Sequence, residues 1–151
     1  MRGKIVYLDS SAIVKRYVKE SGSKFVRSYY LKAYSGELEL SYSFWNIGEV
    51  LGAFDRARQL HRLDEESFRI VRERFLLETR RVAKLGIAVI VPVKTRILVE
   101  AWKLIEGHHI YEADALQIAT AKHLNAEEFL TADRKLHEIA EKENLNSIYV
   151  S

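Results

Sequence analysis

Four carboxylates stand where an α/β chain places chemistry. Asp9 stops the apolar run Ile5-Val6-Tyr7-Leu8 and is followed by Ser10-Ser11, and Glu49 lies in Trp45-Asn46-Ile47-Gly48-Glu49-Val50. Asp114 opens the stretch Glu112-Ala113-Asp114-Ala115-Leu116, and Asp133 closes Phe129-Leu130-Thr131-Ala132-Asp133. A bare carboxylate behind a buried strand is costly to desolvate, so Asp9 is expected either to face water at the strand's mouth or to meet a cation. A helix N-terminus favours one anion by up to about 1 kcal/mol, too little to hold four repelling charges in a shared cleft. A hard divalent cation does better, and magnesium or manganese takes one or two carboxylates together with water and phosphate oxygens. Such an ion activates water and stabilises charge growing on phosphorus, so the chemistry these residues point to is phosphodiester hydrolysis.

The elements that must position these acids read as an alternation. Short apolar or alternating runs fall at Lys4–Leu8, Glu37–Ser41, Ile87–Val91, Glu128–Thr131 and Ser147–Val150. Segments of helical character lie between them, at Ser11–Lys19, Ser23–Tyr34, Phe44–Leu60, Glu65–Lys84, Lys94–Glu106, Glu112–Leu124 and Arg134–Glu143. That order predicts an α/β fold with a mostly parallel sheet. Asp64 is expected to cap the long fourth helix, Gly36, Gly86 and Gly107 to stop helices, and Pro92 to end the third strand. In an open parallel sheet ligands bind beyond the carboxyl ends of the strands, where all four acids would then gather. On the third helix Phe44, Ile47, Leu51 and Phe54 mark an apolar stripe with Glu49 nearly opposite, and Trp45, Gly48, Gly52 and Ala53 form a smooth wall.

Bulk properties bound the reading. With 151 residues the chain is expected to be one domain, 1–151, able to bury roughly two thirds of its unfolded surface. Absence of cysteine excludes a disulfide frame, a thiolate zinc site and a cysteine nucleophile. The first apolar run is too short for a signal core or a membrane span, which suggests a cytoplasmic protein with no membrane partner. Net charge is only +3, yet Arg56 to Lys84 carries nine basic residues, eight of them arginine, against five acids. Arg69, Arg72 and Arg80 are the candidates there for contact with a nucleic-acid backbone, the alternative being a solvated helix face.

Other features carry less. His108-His109 reads as a loop pair rather than a metal site. Tyr29, Tyr30, Tyr34 and Tyr42, with Trp45, are able to stack on unpaired bases, but their alternation with Phe25, Val26 and Leu31 favours core or dimer packing. Neither the paired acids of a phosphate receiver nor the Asp-x-Asp of an aspartyl-phosphate phosphatase is present, since the chain reads Asp9-Ser10-Ser11.

The ordered set Leu8-Asp9-Ser10-Ser11, Glu49 in an apolar helix, Asp114-Ala115 with Ala119 and Ala121, and Leu130-Thr131-Ala132-Asp133 resembles the PIN-domain ribonucleases. More narrowly it is similar to the VapC toxins of prokaryotic toxin–antitoxin pairs, and the likeness spans essentially the whole chain. The resemblance implies a three-layer α/β/α fold with a central, mostly parallel five-stranded sheet, and endonuclease cleavage of RNA dependent on Mg2+ or Mn2+. It also implies homodimers and inhibition by a small antitoxin protein. Carried onto this sequence, Asp9, Glu49, Asp114 and Asp133 are the catalytic and metal-site acids, and Ser11 and Thr131 the hydroxyls that hold carboxylates or water. Glu112 is an extra acid able to support them. Leu136 departs from the pattern, which often has an aromatic there; this touches the subfamily and not the chemistry. A catalytically silent PIN-like module that binds RNA or protein is the alternative.

Overall fold

The computed structural model describes residues 3–151, in which five strands alternate with seven helices. The strands are β1 (Lys4–Leu8), β2 (Leu38–Ser43), β3 (Ala88–Val91), β4 (Glu128–Thr131) and β5 (Ser147–Tyr149). The helices are α1 (Ser10–Tyr17), α2 (Ser23–Tyr34), α3 (Trp45–Gln59), α4 (Glu65–Lys84), α5 (Thr95–His108), α6 (Glu112–His123) and α7 (Arg134–Lys142). All strand pairs are parallel and the sheet order is β3-β2-β1-β4-β5. The chain moves outward from β1 to β3 and then returns past β1 to β4 and β5. Because parallel crossovers are right-handed, that reversal puts α1 to α4 on one face and α5 to α7 on the other, a three-layer α/β/α arrangement. The packing agrees: α2 and α3 lie on β2 and α4 on β3, whereas α5 packs on α6 and α7 covers β4 and β5.

The centre of the sheet is dry. Val6, Tyr7 and Leu8 on β1 have no solvent exposure, and the Tyr7 ring stacks on Phe129 of β4 at 5.4 Å between centroids. Under α1 to α4, Tyr17, Tyr30, Phe54 and Phe75 meet edge to face, the arrangement ring quadrupoles favour. At the rim of that cluster Glu78 of α4 takes both forks of Arg16, at 3.0 Å each, and the hydroxyls of Tyr17 and Tyr34 at 2.8 Å. Helix α6 is buried on all sides from Ala115 to Ala121, which its mostly apolar sequence allows, since the polar exceptions Gln117 and Thr120 are both hydrogen-bonded.

Several local expectations hold: Asp64 caps α4 by accepting from the Ser67 amide at 2.7 Å, β3 stops before Pro92, and Gly36 and Gly86 take positive φ behind α2 and α4. Others need correction. Gly107 does not stop α5; burial of Ile97, Ala101 and Leu104 carries the helix through it to His108, and His109 takes the left-handed position at φ 56°. Strand β2 runs to Ser43 instead of Ser41, because Tyr42 and Ser43 pair with Ile90 and Val91. Phe44, expected on the buried stripe of the third helix, is 64% exposed, and the stripe is Asn46, Val50 and Phe54. Tyr29, Tyr30 and Tyr42 are core residues, so base stacking by them is excluded.

Candidate active site

The strand order reverses between β1 and β4, so the crevice of this sheet opens at their carboxyl ends. Asp9 and Asp133 sit there, each as the N-cap of the helix that follows. Asp9 Oδ1 accepts from the Ala12 amide at 2.9 Å, and Asp133 Oδ1 from the Leu136 amide at 3.2 Å. Leu136 itself is buried in the core.

Asp9 does not open onto bulk water, and among the described residues no lysine or arginine pairs with it. It is 4% exposed, and two hydroxyls hold its carboxylate. Ser11 Oγ donates to Oδ1 at 2.7 Å and Thr131 Oγ1 to Oδ2 at 2.6 Å. Each hydroxyl is oriented by a backbone amide that can only donate to it: Ala132 N–H to Ser11 at 2.8 Å, Asp133 N–H to Thr131 at 3.0 Å. Both hydroxyl protons therefore point at the carboxylate, supporting its charged form. Burial acts against them more strongly, with the Asp133 charge adding to it, and the Asp9 pKa is pushed up to about 6.

Glu49 reaches the site from α3. Its Oε1 accepts from Ser10 Oγ at 2.6 Å and from Gln117 Nε2 at 3.3 Å, and Gln117 Oε1 in turn accepts the buried Tyr7 hydroxyl at 2.7 Å. Asn46, one turn before Glu49, ties α3 to β1 through Leu8 O at 3.2 Å, while its buried Oδ1 has no partner among the described residues. Asp114 lies in the first turn of α6, half-buried, and makes no hydrogen bond among the described residues. Its pKa is raised by burial, then by the charges of Asp133 and Glu49, with Lys135 opposing.

The structure thus brings the four predicted acids, with Ser11 and Thr131, to one edge of the sheet, and their charges act on one another. Among the described residues none of the four pairs with lysine or arginine. Each keeps an oxygen lone pair uncommitted, and an all-oxygen donor set of this kind suits a hard divalent ion. Among the described residues no three of these side chains converge closely enough to form a ready-made cage. Sequence reasoning missed Ser10, Gln117 and Tyr7. Gln117 had a signal, as the lone polar residue within Ala115–Ala119 and three positions after Asp114.

The remaining candidates lie elsewhere. His108 Nε2 contacts Glu143 Oε2 at 2.7 Å, and Lys122 reaches the same carboxylate at 2.7 Å. Arg69, Arg72 and Arg80 are exposed on α4, without ion pairs among the described residues. No described helix is long and apolar enough to cross a membrane.

The fold and this cluster define a class, and residues 6–142 match the PIN domain family; the chain belongs to it. Among solved structures it is similar to Mycobacterium tuberculosis VapC20, described as a sarcin-ricin loop cleaving toxin, with TM-score 0.61 and 12% identity over 87% of this chain and 92% of that one. It is also similar to PAE2754 from Pyrobaculum aerophilum, with TM-score 0.62 and 17% identity over 97% of this chain and 84% of that one. FitAcB from Neisseria gonorrhoeae matches with TM-score 0.59 and 17% identity, over 95% of this chain and 96% of that one. At these identities the likeness is one of fold. No curated protein matches the chain in sequence.

Proposed function

We propose that this protein is an endoribonuclease that hydrolyses RNA phosphodiester bonds with Mg2+ or Mn2+ at Asp9, Glu49, Asp114 and Asp133. The observation that carries the reading is Asp9 itself: a carboxylate buried at the switch point, with two oriented hydroxyls on it, three other acids sensing one another around it and, among the described residues, no basic side chain paired with any of them. Such an arrangement costs stability, which suits a site kept for chemistry. A bound divalent ion offsets that repulsion and stabilises charge developing on phosphorus.

The protein's own side chains do the rest. Ser11 and Thr131 fix the plane of the Asp9 carboxylate, and Ser10 and Gln117 fix that of Glu49. Asp114, with raised proton affinity and free of hydrogen bonds among the described residues, is suited to take a proton from the attacking water. Arg69, Arg72 and Arg80 supply a cationic face for the RNA backbone. The PIN membership and the VapC-like fold support a toxin that works in the cytoplasm and is held inactive by a small antitoxin. Exposed Phe25, Leu31 and Tyr34 on α2 supply apolar surface for a homodimer, to be tested by light scattering at tens of micromolar, where a monomer overturns that part.

Among the described residues no three acids converge closely, and this favours a second reading, a catalytically silent PIN-like module that binds RNA or protein. One assay separates the two. Purified protein is incubated with total RNA in magnesium, in manganese and in chelator, beside Asp9→Asn. Cleavage that needs the metal and vanishes in the variant supports the nuclease; equal behaviour of the two proteins would falsify it.

A further inference from the structure

Beside the carboxylates lies a small cleft that their chemistry does not use. Its walls are Trp45 at the start of α3, Val93 and Leu98 at the start of α5, and Glu112, Ala113 and Leu116 at the start of α6, and its volume is about 230 Å³. Small-molecule sites usually run from about 300 to 1,000 Å³, so this one takes a fragment the size of a single heterocycle. Trp45 is 50% exposed and Val93 39% exposed, so the lining offers both an aromatic and an aliphatic side chain to solvent. Glu112 is the one charged group in the lining.

The cleft shares two walls with the acid cluster. Trp45 precedes Glu49 by one helical turn, which sets the two side chains on neighbouring positions of α3. Glu112 and Ala113 immediately precede Asp114 on α6. A group seated between Trp45 and Glu112 is therefore next to the acids, within a nucleotide's length of a phosphate placed on them. Lys94, exposed and without an ion pair among the described residues, directly follows Val93 in the chain.

We propose that this cleft holds one unpaired base of the RNA substrate, and that it prefers guanine. The inference rests on the nuclease reading of the acids and adds to it the substrate's single-stranded character and a base preference. An exposed indole in a cleft lined by aliphatic side chains offers a surface for stacking, which accepts any base and rejects one locked in a duplex. Discrimination comes from Glu112. An ionised carboxylate only accepts hydrogen bonds, and guanine alone presents two adjacent donors, N1–H and N2–H, to its two oxygens. Adenine and cytosine set one amino donor beside a repelling ring nitrogen, and uracil sets its single N–H between two carbonyl oxygens.

The chain has two tryptophans, so Trp102→Phe leaves Trp45 as the only indole reporter. In that protein, with chelator present to prevent cleavage, emission is followed during titration with tetraribonucleotides that are identical except for guanine, adenine, cytosine or uracil at one position. The guanine oligomer is expected to quench Trp45 and to bind at least five-fold more tightly than the others. Glu112→Gln, at an exposed position, is expected to bring that ratio close to one without changing the melting temperature. Trp45→Ala, assayed by fluorescence anisotropy of a labelled oligomer, is expected to weaken binding about 10- to 100-fold, with Trp45→Phe recovering most of it. No quenching by any oligomer, or equal quenching by all four that Glu112→Gln leaves unchanged, overturns the proposal. So does Trp45 emission that follows protein concentration and ignores RNA, since a second copy of the chain then fills the cleft. Failure of the nuclease reading is distinct: guanine-dependent quenching by a protein that never cuts RNA keeps the cleft and removes the catalysis.

Discussion

Thr131 and Asp9, 122 positions apart in sequence, are joined by a 2.6 Å hydrogen bond in which the threonine hydroxyl donates to a buried carboxylate. The bond exists because β1 and β4 are adjacent and parallel, which puts the last residue of β4 level with the residue after β1. It also holds a destabilising group in place, and that has measurable consequences.

The Asp9 pKa of about 6 lies above the ordinary aspartate value near 3.9, so the native state keeps a proton that the unfolded chain has released. The contribution of this group to stability is then greatest below pH 4, falls as the pH rises towards 6 and levels off above it, a full loss of about 3 kcal/mol. Urea unfolding in chelator from pH 4 to 7 should show that fall in the wild type and a shallower one in Asp9→Asn. Parallel curves for the two proteins would place the titration elsewhere.

Asp114 feels the same burial and the charges of Asp133 and Glu49. Removing its charge relieves that repulsion, so Asp114→Asn should melt a few degrees higher than the wild type in chelator while cutting no RNA. Magnesium or manganese should raise the melting temperature of the wild type more than that of the variant, because an ion bound only by the folded state stabilises in proportion to its affinity. A lower melting point with an unchanged metal response identifies Asp114 as structural.

Glu78 behaves with the opposite sign. Burial raises its pKa, but hydrogen bonds from Arg16, Tyr17 and Tyr34 outweigh it and hold the group below the usual glutamate range. This contribution is complete above the unfolded pKa and is lost as the pH falls through the folded one. Glu78→Gln leaves Arg16 half-buried without its partner and should cost about 2 to 3 kcal/mol at pH 7. The cost should fade below pH 4, as urea midpoints at pH 3 and pH 7 will show.

Arg69, Arg72 and Arg80 lie within one side of α4, at offsets of three and eight positions. If that side tracks RNA, replacing all three with glutamine should weaken binding and flatten the plot of log affinity against log salt by about 2, at roughly 0.7 per single-strand phosphate released. An unchanged slope means the side is only solvated.

Much of this protein was legible one residue at a time. Periodicity placed every strand and helix within a few residues, because local hydrophobic spacing and caps such as Asp64 are short-range physics. The parallel order followed from the alternation, and with it the gathering of Asp9, Glu49, Asp114 and Asp133 at one sheet edge. Errors arose where distant packing overrode local preference: Gly107 stays helical because α5 is anchored on its buried face, and Phe44 is exposed because β2 runs two residues further along β3. What only the tertiary structure decided is how the acids are held. Ser10 on Glu49, Gln117 linking Glu49 to Tyr7, and Thr131 on Asp9 are contacts between segments 39 to 122 positions apart. No local rule encodes such pairs; they arise when parallel crossovers bring strand ends together in a dry interior, where a carboxylate must find hydrogen-bond donors.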